Sequence, residues 1–262
     1  MMRSLWTSST GMIGQQFNVY VISNNLANVN TTAFKKDRVD FEDLMYQRML
    51  LAGTPTSGDA VIPTGVQVGL GTRVAATQKM FEQGSLKRTG NPLDIAIEGD
   101  GFFRVTMADG ATAYTRDGSF KLDSTGRMVT SDGDPLADAI TIPQDATAIL
   151  VTTDGTISVQ QPGAVAPAPI GTLTLAKFVN PAGLSAIGQN LYLESASSGA
   201  PIAAQPQTEG LGASRQGFLE MSNVQVVESM VDLITAQRAY EVNSRSIQTS
   251  DNMLQTATGL KR

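Results

Sequence analysis

The sequence predicts an α+β fold. Long N- and C-terminal helices pair as a coiled coil, with a central all-β domain and an extended arm between them. Three observations predict it. No Pro or Gly interrupts the chain from Phe218 to Thr258, where Leu219, Asn223, Val226, Met230, Leu233, Gln237, Tyr240, Ser244, Ile247, Asp251 and Leu254 recur in steps of four and three. Leu5, Met12, Val19 and Leu26 recur every seven residues near the start. Between these segments, short β-branched runs alternate with Asp-Gly pairs. Steps of three and four place side chains on one helix face, and Asp-Gly supplies the positive φ of tight hairpin turns.

The first segment, 1–30, reads as an axial helix that breaks near Asn30-Thr31-Thr32. Ile13, Ile22 and Val29 flank the heptad line. The stretch SNNLANVNT, residues 23–31, is dense in asparagine, a poor helix former and a good register-setter. It reads as a polar ladder between subunits that also ends the helix, the plainer reading being a helix terminus with Asn in the left-handed conformation. Trp6, the single tryptophan, suits an anchor at a helix–helix contact. The methionines offer adaptable packing where identical subunits meet, although ordinary core filling explains them nearly as well.

Residues 31–74 read as a connector and extended arm with short β pieces. FKKDRVDFED is extended in pattern, and GTPTSGDAVIPTGVQVGLGTRV is rich in Gly, Pro, Ser and Thr. Residues 75–215 read as the β-rich domain, a small sandwich or open barrel. Turn signals stand at Asp109-Gly110, Asp117-Gly118, Thr125-Gly126, Asp132-Gly133 and Asp154-Gly155, and QQPGAVAPAP, 160–169, reads as a surface loop or edge. Residues 216–262 complete the chain as a second axial helix.

A helix of about 40 residues is roughly 60 Å long, whereas a compact globule of this chain length is roughly 45–50 Å across. Such a helix must protrude or bend. A protruding narrow apolar seam is not stable alone. The expected partners are the N-terminal stripe and neighbouring copies, with polar seam positions penalising wrong registers. The packing positions are then Leu5, Met12, Val19, Leu26, Asn24, Asn25 and Asn28, and Val226, Met230, Leu233, Tyr240, Ile247 and Leu254. The isolated ends are expected to be poorly ordered before assembly.

Composition excludes several classes. The 262 residues carry 41% hydrophobic and 16% charged residues and a net charge of −5. Basic residues never run beyond pairs, which argues against nucleic acid and anionic membranes as partners. With no Cys and no His, disulfides, thiolate chemistry, Ser-His catalysis and nearly all zinc sites are excluded. No apolar run suits a transmembrane helix or a cleaved signal peptide, so the protein is expected to be cytosolic or exported by a dedicated machine.

Three local patterns suggest chemistry weakly. Asp94 and Glu98 in NPLDIAIEGDGFF could serve glycoside hydrolysis as a carboxylate pair, but their alternation with Leu93, Ile95 and Ile97 fits a strand. The Asp residues of DGSFKLDSTGRMVTSDGD lack the EF-hand order. GVQVGLG, 65–71, has a GxG but no following helix or Lys-Ser/Thr. No catalytic residue, cofactor or metal is expected.

SLWTSSTGM, NNLANVNTTAFKK, FEDLMYQ, NPLDIAIEGDGFF, AYTRDGSF, SSGAP and AQRAYEVNS resemble the motifs of bacterial flagellar rod and hook axial proteins, in order along the chain. The resemblance implies a structural subunit of a helical assembly, with terminal helices forming an inner tube and β-rich domains outside. It implies export by the flagellar type III apparatus without a cleaved signal peptide, and a place in the basal body where the rod crosses the periplasm. Implied partners are further copies of the chain, proximal rod proteins, the hook protein and the peptidoglycan-ring and outer-membrane-ring proteins. Within the family, the arm at 49–71 looks like the segment that distal-rod members carry for a straight, stiff, torque-transmitting shaft. Proximal rod or hook subunits are the alternative, although the larger β insertions of hook members are absent. Relatives commonly have Gly where this chain has Ala33, which carries a cost if the site needs positive φ.

Overall fold

The computed structural model describes residues 2–53, 55–57, 60–61, 63–163 and 166–259. The chain starts as a helix, α1 (Met2–Ala27), and ends as another, α2 (Val226–Gly259). Residues 54, 58, 59 and 62 of the expected arm, 164–165 of the Pro/Ala-rich loop and 260–262 of the last segment lie outside the described residues. The central part is β-rich, so the coarse fold class stands.

The C-terminal helix is shorter than expected. It has 34 residues, roughly 51 Å of helix, and starts at Val226 rather than near 216. The preceding residues are strands. Ala213–Gln216 pairs antiparallel with Ile95–Glu98, and Phe218–Glu220 pairs with Leu86–Arg88. Gly217, at φ 77°, turns the chain between them. Sheet pairing overrides a local sequence that merely permits helix. Leu219 and Asn223 therefore fall outside the helical seam.

The chain divides into two units. Unit 1 comprises 1–27, 37–78 and 225–262; unit 2 comprises 28–36 and 79–224. In unit 1, Tyr46–Leu50 pairs antiparallel with Val66–Gly69, and Pro55–Ser57 pairs with Ala60–Val61. The expected arm is thus a β-hairpin with paired stems. Asp37–Asp43 pairs with Thr72–Lys79 at its base.

Unit 2 is built on a six-stranded sheet. Its order is Ser185–Gly188, Leu191–Leu193, Thr112–Thr115, Phe102–Thr106, Leu175–Lys177, Ile202–Ala204. Successive strand residues face opposite sides, so Phe102 and Phe103 enter two different cores. Phe103, 0% exposed, joins Ile95, Ile97, Phe120, Leu175 and residues of the three-stranded sheet 148–172, including Val151 and Ile157. Phe102 joins Tyr114, Phe178 and Tyr192. Edge-to-face ring pairs order both layers, with Phe103–Phe120 at 5.1 Å and Tyr114–Phe178 at 4.8 Å. This is sheet-on-sheet packing, not a closed barrel.

Gly110, Gly126, Gly133 and Gly155 take φ between 82° and 96°, as their turn signals demand. Asp117-Gly118 differs. Gly118 has no positive φ, and a Cβ there would overlap the Ile95 carbonyl oxygen. Close approach, rather than turn geometry, requires glycine at that position.

Candidate functional site

In unit 1 the two helices meet through small polar residues. Ser4 and Ser250 hydroxyls stand 3.1 Å apart, and Ser8 donates to Ser246 at 3.1 Å. A Cβ on Gly11 would lie 2.9 Å from the Asn243 amide nitrogen. Rising numbers on α1 meet falling numbers on α2, so the helices run antiparallel. A Cβ on Gly14 would stand 3.2 Å from the Phe41 ring. Helical glycine costs about 1 kcal/mol relative to Ala, and here it admits close neighbours on two sides of α1.

The expected apolar packing positions divide by exposure. Leu5, Met12, Val19 and Leu26 are half-buried, as are Leu233, Ile247 and Leu254. Val226, Met230 and Tyr240 are exposed. The buried residues are Ser8, Gly14, Ile22 and Asn25 on α1 and Ala236 and Ser250 on α2. The signal of the serine and glycine contacts was present as Ser4, Ser8 and Gly11 against Asn243, Ser246 and Ser250, again in steps of four and three. An apolar pattern search passes over such residues.

Large apolar side chains are left outward. Met2, Trp6, Ile13, Phe17 and Tyr20 form an exposed row on α1, with Trp6 at 70%. Trp6 therefore buries little of its surface against the described residues. Val227, Val231 and Ile234 form a row on α2, with Val227 at 77%. Between the helices a groove of about 420 Å³ is lined by Gln16, Val19, Gln237, Tyr240 and Glu241. The hairpin is similarly bare. Met45 is 82% exposed, and Tyr46, Met49, Leu50, Leu51 and Val66 are exposed as well.

The asparagines divide by role. Asn25 is buried and grips the backbone of Asp37: its Nδ2 donates to the Asp37 carbonyl at 2.8 Å, and its Oδ1 accepts from the Asp37 N–H at 2.9 Å. It fixes the entry to the first strand of its own chain. Asn28 accepts from the Thr31 N–H and hydroxyl, closing the turn after α1. Asn24 is exposed on the helix surface.

Unit 2 contains a charged node. Glu220 and Lys35 side chains are both 0% exposed and paired at 2.7 Å; Arg116 Nε reaches the other Glu220 oxygen at 3.0 Å. The Gly84 N–H adds a third donor at 2.9 Å. Lys35 also donates to the Glu82 carbonyl, and Arg116 Nη1 to the carbonyls of Gly99 and Gly101. Burial pushes the Glu220 carboxyl up, but the Arg116 and Lys35 charges outweigh it and hold it below its ordinary value. Burial pushes the Lys35 ammonium down despite Glu220, and Arg116 adds to that effect.

Backbone and amide bonds continue the node. The Ala33 N–H donates to the Glu220 carbonyl at 2.8 Å. Asn223 accepts from the Lys36 N–H and donates to the Met80 carbonyl, each at 2.8 Å. Ala33 has φ 57° and is buried, so the strained turn expected at this position is present. Lys35, Arg116, Glu220 and Asn223 were not singled out from sequence as interacting. The available signal was charge placed inside apolar runs, as in AFKK and FLEM, within a chain poor in charge.

The suspected carboxylate pair does not converge on one site. Asp94 is buried and accepts from Asn91 at 2.9 Å, while Glu98 pairs at the surface with Arg215 at 2.6 Å. Among the described residues no group of three or more acidic side chains is placed to hold a metal ion. No helix among them is long and apolar enough to cross a membrane.

Three families match in chain order: "Flagella basal body rod protein" at residues 5–35, "Flagellar hook protein FlgE/F/G D1 domain" at 96–159, and "Flagellar basal body rod FlgEFG protein C-terminal" at 215–260. The chain is 53% identical to the flagellar basal-body rod protein FlgG of Borreliella burgdorferi over 100% of both chains. It is 46% identical to that of Caulobacter vibrioides over 99% of this chain and 100% of the relative. It is also 46% identical to the flagellar hook protein FlgE of Helicobacter mustelae, over 51% of this chain and 30% of that protein. With helical ends, a β-rich centre and full-length likeness, this chain belongs to the FlgG family of flagellar basal-body rod proteins.

Proposed function

We propose that the chain is a structural subunit of the flagellar rod, assembling helically with its own copies into a straight, stiff distal shaft that transmits torque from motor to hook. The family is one of structural rod proteins, not of enzymes. The observation that carries the reading is the pair of exposed apolar rows, Met2 to Tyr20 on α1 and Val227 to Ile234 on α2. Contiguous apolar surface of this kind marks a protein-binding face, and burial gains about 25 cal/mol per Å². In an assembled tube, Trp6, Ile13 and Val227 pack on neighbouring copies in coiled-coil fashion, alongside Leu5, Met12, Val19, Leu26, Leu233, Ile247 and Leu254. Asn24 and Asn28 contribute to register between subunits.

The exposed hairpin is the second assembly element and bridges adjacent subunits against bending. Coverage of FlgG relatives over their full length, against 30% of the hook relative, favours a rod subunit over a hook subunit. The remaining alternative is a proximal rod subunit. Deleting 49–71 separates them: a distal subunit loses straightness, whereas a proximal one builds no rod. Proximal rod proteins, the hook protein and the ring proteins around the rod are the implied neighbours. The rod crosses the periplasm after type III export without signal cleavage.

Electron micrographs of the purified protein test the assembly. Straight tubes are expected, and the Trp6→Glu/Ile13→Glu double variant is expected to remain dispersed. Tubes from that variant would refute the apolar rows as the packing surface.

A further inference from the structure

We propose that Glu220 is an acid-operated latch. Ionised, it holds the segment after α1 to the segment before α2 inside unit 2; protonated, it releases both while the β core stays folded. The geometry supports the first half. Glu220 lies in the strand Phe218–Glu220, and its carboxylate accepts from Lys35 at 2.7 Å, Gly84 at 2.9 Å and Arg116 at 3.0 Å. These three donors come from three separate stretches of chain. The charged groups facing the node are Lys35, Arg116 and Glu220, with the Glu82 charge acting on Lys35. Removing the single central anion leaves two buried cations close together, and an uncompensated buried charge is strongly unfavourable.

Release can be local because the cores lie elsewhere. Neither hydrophobic cluster contains a residue of 28–36 or 217–224. The joint is held by polar bonds, the Ala33–Glu220 backbone bond and the Asn223 amide contacts with Lys36 and Met80 among them, together with the buried side chains of Ala33, Phe34 and Val224. Ala33 adds strain, since a non-glycine residue at positive φ is disfavoured. Residues 28–36 follow α1 directly and 220–224 lead into α2, so both released segments are those next to a helix.

Hydrogen exchange of the full-length protein, corrected for intrinsic rates and taken from neutral pH downward, tests this. The expected result is that peptides covering 33–36 and 220–223 lose on the order of a hundredfold protection in acid, while 102–106 and 112–115 stay protected. Glu220→Gln should show the released state already at neutral pH, with no further response to acid. Wild-type segments that stay protected, or that open only together with 102–106, would overturn the latch. So would a Glu220→Gln protein that keeps wild-type protection and pH response. Should the variant fail to fold, the wild-type titration still decides.

Discussion

Units 1 and 2 solve the folding problem in opposite ways. Among the described residues, Ile22 and Ala236 are the only buried apolar residues of unit 1, whereas every other one belongs to unit 2. Unit 2 holds ring pairs, two apolar layers and a satisfied charge node. Unit 1 joins its helices through serine hydroxyls and a glycine contact beside half-buried residues such as Leu5, Met12 and Leu233, and turns several large side chains outward. Net hydrogen-bond contributions are about 1 kcal/mol each, against about 1.5–3 kcal/mol for burying a large apolar side chain. Unit 2 is therefore expected to carry most of the stability, and unit 1 to be marginal until its rows are covered.

The largest expected contrast comes from truncating one apolar residue in each unit. Phe103→Ala should destabilise unit 2 by about 3–5 kcal/mol, seen as a lower denaturant midpoint with an unchanged helical signal. Ile13→Ala should change monomer stability by less than about 0.5 kcal/mol yet weaken tube formation. Equal effects on the monomer would erase the distinction between the units.

Acid sharpens the contrast next. The folded Glu220 value lies below its ordinary one, so the unfolded chain binds more protons as pH falls through that range. Stability from this group is present above the unfolded value and is lost as pH falls through the folded one. Lys35 is also lowered, so its contribution rises with pH between its folded value and its ordinary one. Both make unit 2 less stable in acid, and a denaturant midpoint flat across that range would contradict the node. Unit 1 contains no such group among those with a resolved shift in a buried setting.

Gly11→Leu probes the seam. The larger side chain must displace Asn243, at a cost of about 1–3 kcal/mol, partly offset by about 1 kcal/mol of helix propensity. Circular dichroism of the monomer should show lost helix while unit 2 melts unchanged. The smallest effect is expected at Ala33→Gly. Relief of positive φ gains about 1 kcal/mol, and loss of one buried methyl costs about 0.8 kcal/mol. The net change should stay within about 0.5 kcal/mol, and a larger shift would show that one of these two contributions dominates.

Much of the fold was legible because its signals are local. The α1 helix and the Asp-Gly turns at Gly110 and Gly155 follow from spacing and turn chemistry. Ala33 stood out only through the resemblance, as a departure from the glycine that relatives commonly carry. The strand Phe218–Glu220 was not legible. An unbroken run permits a helix, but pairing with Leu86–Arg88 decides, and that partner is far away in sequence. The node was hidden for the same reason: Lys35, Arg116 and Glu220 are brought together only by the sheet. The serine and glycine contacts of the helix seam were hidden because serine, alanine and glycine carry little hydropathy, although they interleave with the half-buried leucines at steps of three and four.

The most direct test compares hydrogen exchange in the monomer and in assembled tubes. The account predicts that amides of α1 and α2 exchange quickly in the monomer, where unit 2 strands such as Phe102–Thr106 are protected, and become as protected as those strands in tubes. Helices protected in the monomer to the same degree as unit 2, with no change on assembly, would contradict it.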